Sequence, residues 1–138
     1  MKTKFFTSAF KIALCGATLC WLNNAQAANP ASVNGTWRAI SNQTSGPLVI
    51  NQAAGTAFCN QITGNIFGNP IEGYYCPKTG RIVFSRKLSA TGKPFQLYKG
   101  FVARGTTATR IGGSFLVWNA DGGRLSAEGM EYNFRAIK

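Results

Sequence analysis

The stretch that most restricts how this chain can fold is residues 94–118, PFQLYKGFVARGTTATRIGGSFLVW. Aromatic, aliphatic and glycine residues alternate along its two arms, and a polar turn at Arg104-Gly105-Thr106 separates them. Alternation with a period of two residues is typical of β-strands with two different faces. We therefore expect residues 94–103 and 109–118 to form a long antiparallel hairpin.

The chain between residue 28 and this hairpin, and the segment after it, divide in the same way. Glycine and proline separate short β-like runs, and no helical period persists long enough to predict a helix. The further predicted strands are 36–41, 47–51, 56–62, 70–76, 80–87 and 129–137. Eight sequential strands with short links favour an all-β fold, an eight-stranded antiparallel up-and-down barrel whose closure leaves no sheet edge exposed. A β-sandwich is the alternative, because strand count alone fits both.

Alternation also predicts which side chains face the interior. In the first strand Trp37 and Ala39 share one face, and in the last strand Tyr132, Phe134 and Ala136 do so. Strands 94–103 and 109–118 are apolar on both faces, which indicates that their outer side is covered as well. A homo-oligomer would provide that cover, although scattered apolar groups on a small barrel need no partner.

The first 27 residues have the pattern of a signal peptide. A lysine-containing start precedes an apolar run of eleven residues at 12–22, too short to span a bilayer, and Ala25-Gln26-Ala27 supplies a cleavage site. We expect a single secreted or periplasmic domain at 28–138 with no membrane span after cleavage. A single N-terminal anchor is the alternative.

The two cysteines of the 28–138 domain are placed for a disulfide. Cys59 and Cys76 are equidistant from Phe67 and Gly68, where a turn is predicted. Opposed residues of an antiparallel hairpin have Cα atoms roughly 4.5–5.5 Å apart, within disulfide reach. An exported chain meets an oxidising compartment, which favours the bond. A reactive thiol pair is the alternative, but Cys76-Pro77 lacks the Cys-x-x-Cys spacing of redox sites.

Composition argues against most catalytic chemistry. The chain has no histidine, which excludes histidine triads, histidine bases and histidine metal sites. Four acidic residues and two cysteines in the domain suggest neither a zinc site nor a close carboxylate pair. We expect no enzyme activity, no cofactor and no metal.

The domain is nevertheless strongly basic. Three of the fifteen Lys and Arg lie in the leader, which leaves twelve against four acids. The basic residues are scattered singly, a pattern typical of a solvated face, so no specific nucleic acid partner is predicted. A polyanion-binding surface stays as a hypothesis, and its residues would be Arg81, Arg86, Lys87, Lys93, Lys99 and Arg104.

Five segments, in order, resemble strands of the avidin/streptavidin family of small β-barrels. NGTW at 34–37 looks like that family's Gly-x-Trp opening, and ITG at 62–64 resembles its third-strand motif. LYKGFV at 97–102 and RIGGSFL at 110–116 are similar to its sixth and seventh strands, and NFRAIK at 133–138 to its ending. The resemblance implies a calycin-type barrel with a ligand in its mouth.

The same resemblance implies that biotin is not held tightly. It places an aromatic box at Phe84, Tyr98 and Phe115, while the loop at 119–128 lacks the tryptophan that a neighbouring subunit would contribute. Positions of the family's polar clamp are replaced, and they carry Ala39, Ile66, Gly68, Gln96 and Tyr132. Each buried polar group of a ligand that loses its partner costs about 1–3 kcal/mol.

These observations predict an exported, non-enzymatic binding protein for a small aromatic or amphipathic ligand. The candidate ligand-binding residues are Trp37, Phe84, Gln96, Tyr98, Phe115 and Tyr132. An eight-stranded barrel has room only for side chains or one small ligand, so these residues filling a closed core is the alternative. A secreted or periplasmic inhibitor of a partner protein such as a protease is the alternative function, with residues 28–33 as a tail that enters a cleft.

Overall fold

A computed structural model describes residues 27–55, 58–117 and 131–138, and these residues form a closed barrel. Each strand pairs antiparallel with the next, and β8 pairs with β1 over Arg38–Ser41. The predicted up-and-down barrel is therefore confirmed, and the sandwich alternative is wrong because the first and last strands are hydrogen-bonded. The strands are β1 Gly35–Ser41, β2 Thr44–Gln52, β3 Asn60–Ile66, β4 Asn69–Cys76, β5 Arg81–Lys87, β6 Pro94–Val102, β7 Arg110–Val117 and β8 Glu131–Ile137.

The third strand lies four residues later than residues 56–62, the predicted position. Gly64, which lies just after the predicted strand, is inside β3 with a φ of 143°. A Cβ at that position would collide with the carbonyl oxygen of Val49 on β2. Glycine inside a strand commonly marks such a close backbone approach.

The second strand is also longer than predicted, since β2 begins at Thr44 rather than at residue 47. Ser45 and Gly46 have turn chemistry, but the turn is at Asn42 and Gln43, where Asn42 has a φ of 51°. Asparagine tolerates this left-handed conformation. Gly46 instead leaves space for a ring, because a Cβ there would be 2.8 Å from Cδ1 of Phe67.

The hairpin of β3 and β4 turns at Phe67 and Gly68, as predicted. Their φ values of 52° and 81° are those of a type I′ turn, whose twist matches that of the flanking strands. The pairing of Asn60 with Tyr75 continues outward to Cys59 and Cys76. These two form a disulfide with Cα atoms 3.9 Å apart. In the chain-entropy model a loop of this length contributes about 3 kcal/mol.

The segment before β1 closes one end of the barrel, which we call the closed end. Pro30 and Val33 are fully buried there. The Tyr75 hydroxyl donates to the Pro30 carbonyl, and Trp37 Nε1 donates to the Val33 carbonyl at 3.1 Å. Residues 28–33 are thus packed on the barrel, and they would have to leave it to enter a partner's cleft.

The interior follows the predicted alternation. Trp37 and Ala39 are buried, as are Phe134 and Ala136, and Tyr132 is partly buried against the same core. The outer face keeps some large apolar side chains in solvent, including Tyr74 at 58% exposure and Phe101 at 59%. A homo-oligomer that would cover them stays a prediction. Along the described ranges there is no helix with the length and apolar character required to cross a membrane.

Candidate ligand site at the barrel mouth

Four aromatic side chains form a continuous stack inside the barrel. Phe84, Tyr98, Phe115 and Tyr132 are paired directly across β5, β6, β7 and β8. Successive ring centroids are 4.8, 4.9 and 5.3 Å apart with interplanar angles of 10°, 16° and 27°. We call this row the aromatic ladder. Its members are stacked because directly opposed inward side chains on neighbouring strands are the closest side-chain pairs in a sheet.

Two further residues fix the position of the aromatic ladder. The Phe134 ring meets Phe84 and Tyr98 edge-on, with centroids 6.1 and 5.1 Å away. On the far side, β4 places Gly73 opposite Phe84, where a Cβ would lie 2.7 Å from the Phe84 Cβ. The aromatic ladder therefore begins at Phe84, because Gly73 on β4 has no side chain that could continue the row. The Phe134 ring packs edge-on against the ladder on the side that faces the closed end.

Above the aromatic ladder the barrel is open. A cavity of about 470 Å³ lies at the end opposite the closed end, and we call it the mouth. Tyr98, Phe115 and Tyr132 form its aromatic wall, and the turns after β1 and β3 form its rim. The remaining lining residues are Ser41, Asn42, Gln43, Thr44, Phe67, Arg86, Gln96 and Val117. The volume is that of a site for one small molecule.

A cluster of polar side chains shares the mouth with these rings. Arg86 Nη1 donates to Gln96 Oε1 at 3.0 Å, and the Tyr98 hydroxyl donates to the same oxygen at 3.0 Å. Arg86 Nη2 donates to Asn69 Oδ1. Ser41 Oγ and Arg86 Nε are buried and have no hydrogen-bond partner among the described residues. The mouth thus combines a wall of aromatic rings with a hydrogen-bonded polar cluster in which two buried atoms have no partner among the described residues.

Burial raises the pKa of the Tyr98 phenol, while the nearby Ser41 hydroxyl and Arg86 guanidinium act in the opposite direction. Burial also raises the pKa of Tyr75. A raised pKa in the folded state stabilises the fold below the unfolded value of 10.0, and this contribution is lost as pH rises through the folded pKa.

We therefore expect the denaturant midpoint of unfolding to fall above pH 10.0, and to fall less steeply in Tyr98→Phe. Tyr74→Phe, which removes a hydroxyl from a ring that is 58% exposed on β4, is the matched control. Equal alkaline slopes for wild type and Tyr98→Phe would show that the phenol of Tyr98 does not contribute.

The structure brings together four of the six predicted ligand-binding residues and separates two. Gln96, Tyr98, Phe115 and Tyr132 line the mouth. Phe84 is in the aromatic ladder but is only 1% exposed and does not line the cavity. Trp37 is deeper still, bonded to the closed-end segment, with Lys138 Nζ 4.9 Å from its ring centroid. The barrel is filled in one part and hollow in another. Side chains fill it from the closed end up to the aromatic ladder, and the mouth beyond the ladder is open.

Sequence reasoning did not assign Ser41 and Asn69 to the site, and it placed Arg86 among surface cations. Arg86 follows Ile82 and Phe84 at intervals of two, and both of those are buried. Extending that alternation by one step would have placed Arg86 inside the barrel. Ser41 follows Trp37 and Ala39 in the same manner.

Over residues 27–55, 58–117 and 131–138, no three His, Cys, Asp or Glu side chains come together in the way metal ligands would.

Comparison of the chain with protein-family models, curated proteins and solved structures gives no significant match.

Proposed function

We propose that this protein is an exported, non-enzymatic binding protein, avidin-like in plan, that holds one small aromatic or amphipathic molecule in the mouth. The observation that carries the proposal is the open cavity of about 470 Å³ against the aromatic ladder. Sites for small molecules are typically concave, largely apolar and supplied with a few convergent polar groups. The mouth is concave, and it combines a wall of aromatic rings with several convergent polar groups.

A flat ligand suits this wall. Tyr132 is the last ring of the aromatic ladder, with its centroid 5.3 Å from that of Phe115, so a planar molecule stacked on Tyr132 can extend the row. The polar cluster of Ser41, Arg86 and Gln96 lies across the same cavity. An amphipathic molecule can therefore place its apolar part on the rings and its polar part on the cluster.

Biotin is a poor candidate for this mouth. The resemblance to avidin-like barrels puts a clamp residue at the position of Ala39, which is 0% exposed and forms part of the core. Another clamp position carries Tyr132, whose ring belongs to the aromatic ladder. A buried ureido group would lack partners at both places, at about 1–3 kcal/mol for each unpaired group.

The inhibitor alternative has less support. Its tail, residues 28–33, contributes Pro30 and Val33 to the interior. The Gly105 amide also donates to the Ala28 carbonyl at 2.9 Å. Withdrawal of this segment would expose apolar surface at the closed end, which opposes its insertion into another protein.

Calorimetric titration of the secreted domain with small aromatic and amphipathic metabolites, biotin included, tests the proposal. We expect one class of ligand to bind at a single site and to raise the melting temperature. Phe115→Leu should lower that affinity about ten-fold or more, since it removes a ring of the mouth wall. Phe101→Leu removes a ring from the exposed outer face and is the matched control.

A panel in which no compound changes either heat or melting temperature would refute the proposal. Equal losses in Phe115→Leu and Phe101→Leu would also refute it, because binding would then take place outside the mouth.

A further inference from the structure

Arg86 is a positively charged side chain that points into the barrel. It occupies the last inward position of β5 before the β-bulge at Arg86/Lys87, after the buried residues Ile82 and Phe84. Its guanidinium lies over the Phe67 and Phe95 rings, with Cζ 5.3 and 5.0 Å from their centroids. The charge is therefore held at the rim of an apolar wall and is partly removed from water.

In the described part of the chain, the side chains that accept hydrogen bonds from the Arg86 guanidinium are neutral. Its hydrogen bonds go to the amide oxygens of Gln96 and Asn69. Lys87 and Lys99, on the adjacent strands β5 and β6, differ, because Lys87 pairs with Glu72 at 3.0 Å and Lys99 pairs with Glu131 at 3.1 Å. Across the described ranges no carboxylate lies within 4.0 Å of the Arg86 guanidinium. A partly buried cation without a counter-ion is unfavourable, and a bound anion would relieve that cost.

Donors for such an anion are in place. A guanidinium has five N–H donors, and the bonds to Gln96 and Asn69 use two of them. Arg86 Nε is buried without a partner among the described residues, and so is Ser41 Oγ on the opposite wall of the mouth. Because two amides and two rings already hold the guanidinium, little side-chain freedom remains to be lost when a ligand binds.

We propose that the mouth is selective for ligands that carry an anionic oxygen group, such as a carboxylate or sulfonate, on a flat apolar body, and that Arg86 binds this group. The inference rests on the proposed function and adds the chemical class of its ligand. The apolar body lies against Phe115 and Tyr132, and the anion faces the guanidinium. Arg86 is then a specificity-determining residue, because a neutral molecule of the same shape leaves its charge unmatched.

Two fluorescent probes that differ by one group separate the anion from the apolar body. Anilinonaphthalene sulfonate is anionic, and its parent N-phenylnaphthylamine has the same rings without the sulfonate. We expect wild type to bind the sulfonate about ten-fold or more tightly than the parent, since charge-assisted hydrogen bonds are the strong ones. Arg86→Gln should remove this preference, so that the variant binds the two probes with affinities within about three-fold of each other.

Arg38→Gln is the matched charge control, because Arg38 is exposed on the outer face of β1. The domain is basic and attracts any anion weakly, and this variant removes one charge without touching the mouth. We expect it to retain the preference of the wild type. Equal loss of sulfonate affinity in Arg38→Gln and Arg86→Gln would overturn the inference, as would equal affinity of wild type for the two probes.

Asp121 and Glu128 lie outside the described residues, and a double variant tests them as counter-ions. We expect Asp121→Asn with Glu128→Gln to bind the sulfonate within about three-fold of wild type. A gain of ten-fold or more would overturn the inference, because the chain itself would then neutralise Arg86. Binding of the parent alone overturns the anion selectivity and leaves the proposed function intact, whereas binding of neither probe counts against both.

Discussion

Replacement of Tyr98 by alanine will lower the free energy of unfolding by about 3–5 kcal/mol, the usual loss for a large buried aromatic side chain. Tyr98 is fully buried, and it is the one ring of the aromatic ladder that stacks on Phe84 and Phe115 and also meets Phe134 edge-on. Its removal breaks these three contacts and leaves a cavity beneath the mouth. Unfolding in guanidinium chloride, followed by fluorescence, measures the change in the free energy of unfolding.

Two variants show whether the aromatic ladder is the cause. Tyr98→Phe keeps every ring contact and loses only the hydrogen bond to Gln96, so its loss should be about 1 kcal/mol. Tyr74→Ala removes a ring that is 58% exposed on β4, and its loss should stay below about 1 kcal/mol. A Tyr98→Ala loss no larger than that of Tyr74→Ala would contradict the assignment of the ladder as a major source of stability.

Gly113→Ala will destabilise the barrel by about 3 kcal/mol, at the upper end of what overpacking usually costs. Gly113 is paired with Gly100 across β6 and β7. A Cβ at Gly113 would collide with the Lys99 carbonyl oxygen and would lie 2.5 Å from the Gly100 Cα. Because these are backbone atoms, relief requires β6 and β7 to separate. Thermal and denaturant unfolding, with ellipticity as the signal, measure the loss.

The adjacent residue supplies the control for this prediction. Gly112 faces outward, and a Cβ there would have no heavy atom within 4 Å. Gly112→Ala should therefore change stability by no more than about 0.5 kcal/mol, with the small gain in strand propensity in its favour. Similar losses for the two variants would mean that the close approach of β6 and β7 does not limit stability.

The parts of the fold that the sequence predicts correctly follow from strict period-two patterns. The centre of the β3–β4 hairpin and its disulfide were predicted from the equal spacing of Cys59 and Cys76 about Phe67 and Gly68. An antiparallel pair has only one register for a given turn, so a correct turn also gives the correct partners. Closure into a barrel was also predicted, because eight short sequential strands have few other ways to avoid exposed sheet edges.

Errors arose where glycine has a role other than that of a turn residue. Gly46 was assigned to a turn, and the third strand was predicted to end at residue 62, before Gly64, yet both glycines lie inside strands. One accommodates the backbone of Val49, and the other accommodates the ring of Phe67. Neither neighbour is near its glycine in the sequence, so the requirement becomes visible only when the strands are paired.

The candidate site could be predicted only in part. The resemblance to avidin-like barrels placed Tyr98 and Phe115 in its aromatic wall, and alternation along β8 placed Tyr132 there. Alternation predicts which face a residue is on, but it does not predict how deep the residue lies along the barrel axis. Trp37 was therefore assigned to the ligand site, although it lies at the closed end. Arg86 was missed because a cation is expected in water, and only its neighbours in space explain an inward position.

The positions of Ala28 and Lys138, the first and last residues of the expected domain, have a practical consequence for attachment of that domain to a support. Ala28 is bonded to Gly105, and Lys138 Nζ donates to the Asn34 carbonyl, so both ends of the folded domain lie at the closed end. A linker joined to either end leaves the barrel on the side away from Tyr132 and Arg86. A surface coated with the domain through either terminus would therefore present its mouths to the solution, and probe capacity per molecule should equal that of the free protein.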